Sequence, residues 1–371
     1  MLIGIDASKI SSKGRTGVEE YVTQVFRYLK KTDRGNQYIL YTPNSHGADF
    51  DKMPSNFTLR ELHFPLMWTQ VRLAWELLFE KPDVFFEPSY ATPLLTNLIN
   101  RVPTVVTIHD VAYKYFPEAY PLWQRALLDF TTRMTVMRAK KIITISETTK
   151  KDLVKFYKAD PKKIFVTRLG FDNDFLRFRN FEKDTWESMK DKFEIEGKYL
   201  LYIGRLETKK NIQNLVKAFY RLLHDGENLQ LVLAGKRGMG FDKIEELITK
   251  YNLRDRIKII GYVTDEEKKY LLRHASAFTF VSLYEGFGLP ILEAFASGAP
   301  VVASDIPVFR EIYTGGAQFV DGNDPADIAK GIQNVLKSEK KQENLRAKGK
   351  EILQNFSWEK CGEETLKILT S

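Results

Sequence analysis

Cysteine is almost absent from the chain of 371 residues: Cys361 stands alone and has no partner for an internal disulfide. The five histidines show neither an HExxH pattern nor the paired-cysteine spacing of a zinc site. No run of apolar residues approaches the length of roughly 18 that a transmembrane helix needs. These absences argue against disulfide-stapled, zinc-binding and membrane-spanning proteins.

Two common nucleotide-binding motifs are missing as well. No G-x-G-x-x-G pattern follows the apolar runs at residues 2–5 and 199–203, which counts against a nicotinamide dehydrogenase. Gly235 and Lys236 lack the upstream glycine and the following Ser or Thr of a Walker A loop. Any phosphate site in this chain therefore has to use residues other than those of these two motifs.

The composition is that of a globular protein, with 43% hydrophobic and 28% charged residues. The net charge of +8 is spread over both halves of the chain rather than gathered in a basic stripe, so we do not expect a nucleic-acid partner. A spread positive charge suits a phosphate ester or an anionic membrane surface. The N-terminus shows no signal-peptide pattern, and we expect a cytoplasmic protein.

Apolar runs alternate with amphipathic stretches along the chain, which predicts βα units and mostly parallel sheets. We predict two sets of strands, at 2–5, 38–41, 83–86, 104–108 and 141–144, and at 199–203, 230–234, 257–260, 277–281 and 301–303. The charge-rich segment 173–197 separates the two sets. The sequence therefore predicts an α/β fold with two doubly wound domains, 1–172 and 173–356, followed by a helix at 357–371. In such sheets, ligands bind beyond the carboxyl ends of the strands.

A long helix is predicted at residues 122–141. Its apolar and basic residues are mixed: Trp123, Leu127, Leu128, Phe130 and Met134 alternate with Arg125, Arg133 and Arg138. We expect the apolar side to pack against the core. The alternative is that the arginines, together with the aromatic residues of 113–120, face an acceptor or a membrane.

The most informative stretch is EGFGLPILEAFASG at 285–298, which follows a predicted strand. Its first two glycines permit a tight turn and a close approach of backbone N–H groups to a ligand. Pro290 suits the first helical position, and the N-terminus of a helix attracts an anion. Glu285 and Glu293 can accept hydrogen bonds from the hydroxyls of a sugar or ribose. The alternative is an ordinary connection with two solvated glutamates.

A second stretch, YIGRLETKKN at 202–211, also leaves the carboxyl end of a predicted strand. Arg205 can grip a phosphate with its two-pronged guanidinium, and Lys210 can add a point charge. The alternative is a solvated basic loop. The position of this stretch on the same sheet edge as Glu285 favours a phosphate site.

Two features of the first half also lie at the ends of predicted strands. His109, followed by Asp110, ends the strand at 104–108, where a histidine can donate a hydrogen bond to a substrate or carry a proton. The alternative is a histidine satisfied by nearby backbone. Gly14 and Gly17 precede a helix predicted at 18–31, in the manner of a phosphate-binding loop or of a common connector.

Taken together, these residues resemble the retaining GT-B glycosyltransferases of the GT4 family, in particular bacterial mannosyltransferases of polysaccharide and lipopolysaccharide assembly. The resemblance covers nearly the whole chain. It depends on four features: the E-x7-E motif at Glu285 and Glu293, the basic pair Arg205 and Lys210, the His-Asp sequence at 109–110, and the glycine loop near Gly17.

The resemblance implies two Rossmann-like domains that face each other across a cleft. The first domain would bind the acceptor, the second would bind the nucleotide-sugar donor, and the last helix would cross back to the first domain. The implied donor contacts are Arg205 and Lys210 to the diphosphate, Glu293 to the ribose, Glu285 to hydroxyls of the donor sugar, and the backbone of Gly286, Phe287, Gly288 and Leu289 to sugar and phosphate. His109 would reach the sugar near its anomeric centre, and Gly17 would let the first loop approach the phosphates.

The implied reaction is transfer of a hexose, specifically mannose from GDP-mannose, to a glycan or lipid-linked acceptor with retention of configuration. The departing phosphate oxygen would take the acceptor proton, and no metal or other cofactor is expected. Other activities remain open: a UDP-sugar-dependent glucosyl- or N-acetylglucosaminyltransferase, a sugar-nucleotide epimerase, a phosphorylase, and a non-catalytic nucleotide-sugar binding protein. The acceptor also stays open, because the first loop varies widely in this family.

Overall fold

The structure is a computed structural model, and it describes residues 1–10, 15–45, 50, 52–64, 68–89, 102–177 and 183–371. Gly14 of the predicted glycine loop lies outside the described residues. The chain forms two compact units, one made of Met1–Gly170 with Phe356–Ser371 and the other of Phe171–Asn355. The assignment of acceptor binding to the first and donor binding to the second stays a prediction.

The first unit contains a seven-stranded parallel sheet in the order β3-β2-β1-β4-β5-β6-β7. Its strands are β1 (Leu2–Asp6), β2 (Gln37–Thr42), β3 (Phe57–Glu61), β4 (Val84–Glu87), β5 (Thr104–Ile108), β6 (Lys141–Thr144) and β7 (Ile164–Val166). The helices that precede the second unit are α1 (Gly17–Thr32), α2 (Ala74–Phe79), α3 (Ala112–Tyr115), α4 (Leu122–Arg138) and α5 (Glu147–Tyr157). Shorter turns are a π-helix at Thr69–Leu73 and 3₁₀ turns at Pro117–Ala119 and Pro161–Lys163.

The second unit contains a six-stranded parallel sheet in the order β10-β9-β8-β11-β12-β13. Its strands are β8 (Tyr199–Ile203), β9 (Gln230–Ala234), β10 (Ile257–Gly261), β11 (Ala277–Phe280), β12 (Val301–Ser304) and β13 (Ala317–Val320). Its helices are α6 (Asp174–Arg177), α7 (Lys183–Phe193), α8 (Ile212–His224), α9 (Phe241–Lys250), α10 (Asp265–His274), α11 (Leu289–Ser297), α12 (Pro307–Tyr313), α13 (Pro325–Leu336) and α14 (Glu339–Leu353), with a 3₁₀ turn at Thr208–Lys210.

The predicted α/β fold with two doubly wound sheets is confirmed. In each sheet the strand order reverses between two central neighbours, β1 and β4 in the first and β8 and β11 in the second. Ligands of open α/β sheets bind at the carboxyl ends of the strands that flank such a reversal. The two reversals therefore mark where functional side chains are expected.

The last helix, α15 (Trp358–Thr370), belongs to the first unit and packs on α1. Ser357 caps it as the sequence predicts, because its hydroxyl accepts a hydrogen bond from the amide of Lys360 at 3.1 Å. Gly362 lets the two helices approach closely, since a Cβ atom there would lie only 2.2 Å from Cγ of Tyr28. Any larger residue at Gly362 would force the two helices apart.

The predicted core packing of the helix at 122–141 is wrong for most of its large apolar side chains. The side chains that α4 buries are Thr132, Thr135 and Val136, and its large exposed ones are Leu122, Trp123, Leu127, Phe130 and Met137. Hydrophobic periodicity shows that a helix has an apolar face, but it does not show what that face meets. Among the residues that the structure describes, no helix is both long and apolar enough to cross a membrane.

Candidate functional site

Lys210 and Glu285 form an ion pair at the strand reversal of the second sheet. The ammonium nitrogen of Lys210 lies 2.5 Å from Oε1 of Glu285, and the two side chains are only 15% and 13% exposed. Lys210 follows β8 and Glu285 follows β11, and these parallel neighbours end at the same edge of the sheet. The structure thus brings together two residues that the sequence assigned to different parts of the donor.

Asn211, which the sequence reasoning missed, fixes the loop that carries Lys210. Its backbone adopts the left-handed conformation, with φ of 62°, which asparagine tolerates better than most residues. Its buried side-chain amide donates to the carbonyl of Val281 at 3.0 Å and to that of Gly322 at 2.6 Å. The loops after β8, β11 and β13 are thereby joined. The signal in the sequence was an asparagine directly before a helix.

The turn between β11 and α11 is held by hydrogen bonds from Tyr313 and places the start of a helix at the same edge. Gly288 caps α11 with a φ of 98°, and the hydroxyl of Tyr313 donates to the carbonyls of Phe287 and Gly288 at 3.2 and 3.0 Å. The helix begins at Leu289, one residue earlier than predicted from Pro290. The four residues whose backbone is predicted to contact sugar and phosphate therefore lie in this turn and in the first turn of α11. They are Gly286, Phe287, Gly288 and Leu289.

Glu293 lies on α11 and forms an ion pair with Lys268 of α10, which the sequence reasoning did not single out. Lys268 Nζ lies 2.7 Å from Oε1 of Glu293 and 3.2 Å from Oδ1 of Asp265. Burial lowers the pKa of Lys268, but the carboxylates of Glu293 and Asp265 outweigh burial and raise that pKa above its usual value. The ammonium charge is therefore kept.

Arg205 is exposed at the beginning of the loop after β8. Its backbone carbonyl accepts a hydrogen bond from the Tyr202 hydroxyl at 3.1 Å. Its aliphatic carbons lie against Gly238, where an added Cβ atom would stand 2.9 Å from Cγ of Arg205. The chain thus supports the stem of this arginine while its guanidinium remains at the surface, where an anion can reach it.

His109 lies in the first unit, directly after β5, and is 5% exposed. Its Nε2 lies 2.9 Å from the carbonyl oxygen of Pro88, and because a carbonyl only accepts, Nε2 carries the proton of this bond. Burial lowers the pKa of the imidazole. The structure thus shows a buried histidine whose Nε2 donates to backbone. A role at the anomeric centre stays a prediction.

Gly17 is the first residue of α1, next to a capping box. Glu19 accepts a hydrogen bond from the Thr16 amide at 2.8 Å, and the Glu19 amide donates to the Thr16 hydroxyl at 3.4 Å. The carboxylate of Glu19 already complements the positive end of α1. A phosphate contact at Gly17 stays a prediction, and it would have to compete with this internal cap.

A buried pair of carboxyl groups, Asp6 and Glu87, lies at the strand reversal of the first sheet and was also missed. Their exposures are 3% and 0%, and the register that pairs Ile5 with Phe86 places them side by side. Burial raises the pKa of both, and the charge of Asp6 raises the pKa of Glu87 further. Two buried neighbouring carboxyl groups resist ionising together, so we expect the pair to keep one proton, on Glu87.

Both halves of the chain match known family models. Residues 15–175 match the model described as Glycosyltransferase Family 4, and residues 184–352 match the model described as Glycosyl transferases group 1. Within the described residues, no group of three or more His, Cys, Asp or Glu side chains is arranged to hold a metal ion.

Two curated bacterial proteins are similar to most of the chain. The O-antigen chain mannosyltransferase B of Escherichia coli is 30% identical over 296 residues, which are 80% of this chain and 76% of that protein. The O-antigen chain mannosyltransferase RfbU of Salmonella typhimurium is 30% identical over 276 residues, 73% of this chain and 71% of that protein.

Solved structures with the same fold cover the whole chain. The crystal structure of HepE from Anabaena in complex with UDP and glucose has a TM-score of 0.78 at 16% identity and covers 100% of this chain and 99% of its own. WaaG, a glycosyltransferase involved in lipopolysaccharide biosynthesis, has a TM-score of 0.74 at 15% identity, with 100% of both chains covered. At these identities the likeness concerns the fold, which is the GT-B fold that the sequence resemblance implied. Together with the family matches and the relatives at 30% identity, it shows that the chain belongs to the family 4 glycosyltransferases, which are retaining hexosyltransferases.

Proposed function

We propose that this chain transfers mannose from GDP-mannose to a glycan or lipid-linked acceptor in the synthesis of a cell-surface polysaccharide or lipopolysaccharide. The choice of mannose is supported by the relatives at 30% identity, whose names describe O-antigen mannosyltransferases. The site is supported by one observation above all, the Lys210–Glu285 ion pair beside the N-terminus of α11. A cation and a helix N-terminus suit a diphosphate, and a carboxylate suits the hydroxyls of a sugar.

In this proposal, Lys210 and the first amides of α11 bind the donor diphosphate, and Arg205 adds a second cation. A lysine ammonium has three donors, so Lys210 can hold Glu285 and a phosphate oxygen at the same time. The negative charge that grows on the departing diphosphate is stabilised by groups already in place. The departing phosphate oxygen then takes the proton of the acceptor hydroxyl that attacks the anomeric carbon from the same face.

Glu285 accepts hydrogen bonds from hydroxyls of the donor sugar, and Glu293 accepts hydrogen bonds from the ribose. The two carboxylates are eight residues apart, with Glu285 in the turn before α11 and Glu293 inside the helix. Each is paired with its own lysine, Lys210 or Lys268. The sugar and ribose ends of the donor would therefore meet two separately anchored acceptor groups.

A transfer assay tests the proposal. The full chain is incubated with GDP-mannose labelled in the sugar and with a lipid extract of bacterial membranes, and the label in the lipid and glycan fraction is counted. The proposal expects label in that fraction, and far less with the Glu285→Gln variant. If UDP-glucose or UDP-N-acetylglucosamine labels the fraction and GDP-mannose does not, the donor assignment is wrong and the UDP-sugar alternative replaces it. HepE, which shares the fold, was crystallised with UDP and glucose.

The exposed face of α4 is part of the proposal, as a site that docks on a membrane. It carries Leu122, Trp123, Leu127, Phe130 and Met137, which are between 53% and 74% exposed. Arg125, Arg133 and Arg138 lie on the same helix, whose single carboxylate, Asp129, is 2.5 Å from the ammonium of Lys114. An apolar stripe with excess positive charge is complementary to anionic lipid. We therefore expect a cytoplasmic enzyme at the inner face of the membrane, where a lipid-linked acceptor is available.

A further inference from the structure

Lys268 is held on three sides at the start of α10. Its ammonium lies 2.7 Å from Oε1 of Glu293, 3.2 Å from Oδ1 of Asp265 and 5.3 Å from the centre of the Phe175 ring. The side chain is only 16% exposed, although lysine is among the residues least often buried. The ammonium of Lys268 is therefore held between two carboxylates and an aromatic ring.

The start of α10 is itself held by a capping box, which fixes the backbone position of Lys268. Thr264 and Glu267 form a capping box: the Thr264 hydroxyl accepts from the Glu267 amide at 3.2 Å, and the Glu267 carboxylate accepts from the Thr264 amide at 2.7 Å. The carboxylate of Glu267 also pairs with Lys192 of α7 at 2.5 Å. The first turn of α10 therefore has little freedom relative to the helices around it.

The ion pair constrains Glu293 more than the helix alone would. A glutamate has three side-chain torsions, and a partly exposed one on a helix samples several rotamers. The bond to Lys268 restricts the placement of the carboxylate and occupies one acceptor position on Oε1. An ionised carboxylate has about four such positions, so it can bind Lys268 and a diol together.

From this geometry we propose that Lys268 positions Glu293 for the ribose diol of the nucleotide donor, and so sets the preference of the site for ribonucleotides over nucleotides that lack the diol. The inference rests on the proposed function, because it takes Glu293 as the ribose contact. Lys268 is a positioning residue and touches no part of the substrate in this account.

A purely structural role for the pair, as a link between α10 and α11, makes a different prediction. Loss of such a link would lower stability and weaken every nucleotide alike. Loss of a positioning group weakens the binding only of those nucleotides whose ribose hydroxyls contact Glu293. A comparison of nucleotides with and without the ribose hydroxyls therefore distinguishes the two roles.

The experiment is a calorimetric titration of the full chain with GDP and with 2′,3′-dideoxy-GDP, and with UDP and its dideoxy analogue. The wild type should bind the ribonucleotide of the preferred base at least tenfold more tightly than its dideoxy analogue, a difference of about 1.4 kcal/mol. Lys268→Met should lower the affinity for the ribonucleotide about tenfold and leave the affinity for the dideoxy analogue unchanged. Lys268→Arg should restore most of the difference. In transfer assays, Lys268→Met should raise KM for the donor while kcat stays within about twofold.

Lys269→Met is the matched control, because Lys269 is adjacent on the same helix and its ammonium also lies over the Phe175 ring, at 5.2 Å. It should behave like the wild type with both ligands. Glu293→Gln should remove the same preference as Lys268→Met, and the double variant should lose no more than either single one. Thermal unfolding identifies any variant that fails to fold.

Equal weakening of both nucleotides by Lys268→Met, or no weakening of either, overturns the inference and leaves the proposed function standing. A wild type that binds both nucleotides equally well overturns the role of Glu293 and the inference with it. A wild type that binds no nucleotide or nucleotide sugar contradicts the proposed function itself.

Discussion

Lys210 and Glu285 are 75 positions apart in the sequence, yet the ammonium of one lies 2.5 Å from the carboxylate of the other. They meet because β8 and β11 are parallel neighbours whose carboxyl ends share an edge, and because Asn211 joins the loops that follow these strands. Each charge is compensated before any ligand binds. This pairing determines how single substitutions at the site should behave.

Lys210→Met should weaken the binding of GDP by tenfold or more, because it removes a cation assigned to the diphosphate and leaves Glu285 as an uncompensated negative charge. Isothermal titration calorimetry with free GDP gives the affinity directly. Lys209→Met is the control, since the ammonium of Lys209 lies 3.5 Å from Glu207 and outside the proposed diphosphate contacts. Similar losses in the two variants would contradict the role of Lys210.

Glu285→Gln should leave the affinity for free GDP unchanged or higher, because Lys210 is then released from its partner and free GDP carries no sugar for Glu285 to hold. Turnover should fall by at least about tenfold, since hydrogen bonds from the donor sugar to a carboxylate are lost. Steady-state transfer kinetics and GDP titration on the same preparation separate the two effects. Parallel losses of GDP affinity and turnover would show that Glu285 acts on the nucleotide instead.

Asn211→Ala should lower the free energy of unfolding by about 2–4 kcal/mol, because it removes the donor to the carbonyls of Val281 and Gly322 and forces alanine into a left-handed conformation. Asn214 still donates to the carbonyl of Gly322, at 3.2 Å. Asn211→Gly relieves the backbone cost and keeps the loss of hydrogen bonds, so its effect should be smaller. Urea unfolding measures both. A larger loss for glycine than for alanine would contradict this explanation.

The stability of the first unit should depend on pH through Glu87. Because burial and Asp6 raise the pKa of Glu87 in the folded protein, the contribution of Glu87 to stability is fully present below about pH 4.3. It declines as the pH rises towards the raised pKa, by at most about 1.4 kcal/mol per pH unit. Glu87→Gln keeps a donor towards Asp6 and has no proton to lose. Its unfolding free energy should therefore decline less between pH 5 and pH 8 than that of the wild type, and parallel profiles would contradict the proton on Glu87.

Membrane docking by α4 should be sensitive to its exposed aromatic residues. Trp123→Ser combined with Phe130→Ser should reduce partition onto vesicles containing anionic lipid by tenfold or more, since each ring contributes about 1.5–3 kcal/mol when buried. Vesicle co-sedimentation measures the bound fraction, and purely zwitterionic vesicles should bind less. Trp75→Ser replaces a tryptophan on α2 that is 60% exposed, and it should bind like the wild type. Unchanged vesicle binding of the α4 variant would show that this face of α4 is not the membrane-docking site.

The central strands could be predicted from the sequence to within a residue or two, and β5, β6, β8 and β9 to the residue. A strand with neighbours on both sides and helices on both faces is a continuous apolar run, and such a run is easily recognised. Within the part of the chain that the structure describes, the three strands that were missed, β3, β7 and β13, are all at sheet edges, and each is partly exposed. β3 and β13 mix polar and apolar residues in the manner of loops, and β7 is only three residues long.

The loops that carry the site could be predicted for the same reason, because motifs such as E-x7-E follow recognisable strands. The residues that pair with these loop residues from other elements could not be predicted. The ion pair of Lys268 with Glu293 depends on how α10 and α11 pack, and no local pattern records that contact. The carboxyl pair of Asp6 and Glu87 depends on the pairing of β1 with β4, which are more than 75 residues apart. The face of α4 shows the same limit, since its apolar periodicity fits a core and a membrane equally well.

The most direct measurement of the central claim is a calorimetric titration of the full chain with GDP-mannose, alongside UDP-glucose and UDP-N-acetylglucosamine. We predict saturable binding of GDP-mannose, at least tenfold tighter than that of the UDP-sugars, weakened by Lys210→Met and unchanged by Lys209→Met. If the chain binds none of these nucleotide sugars and neither free nucleotide, the assignment of this site as a sugar-nucleotide site is wrong.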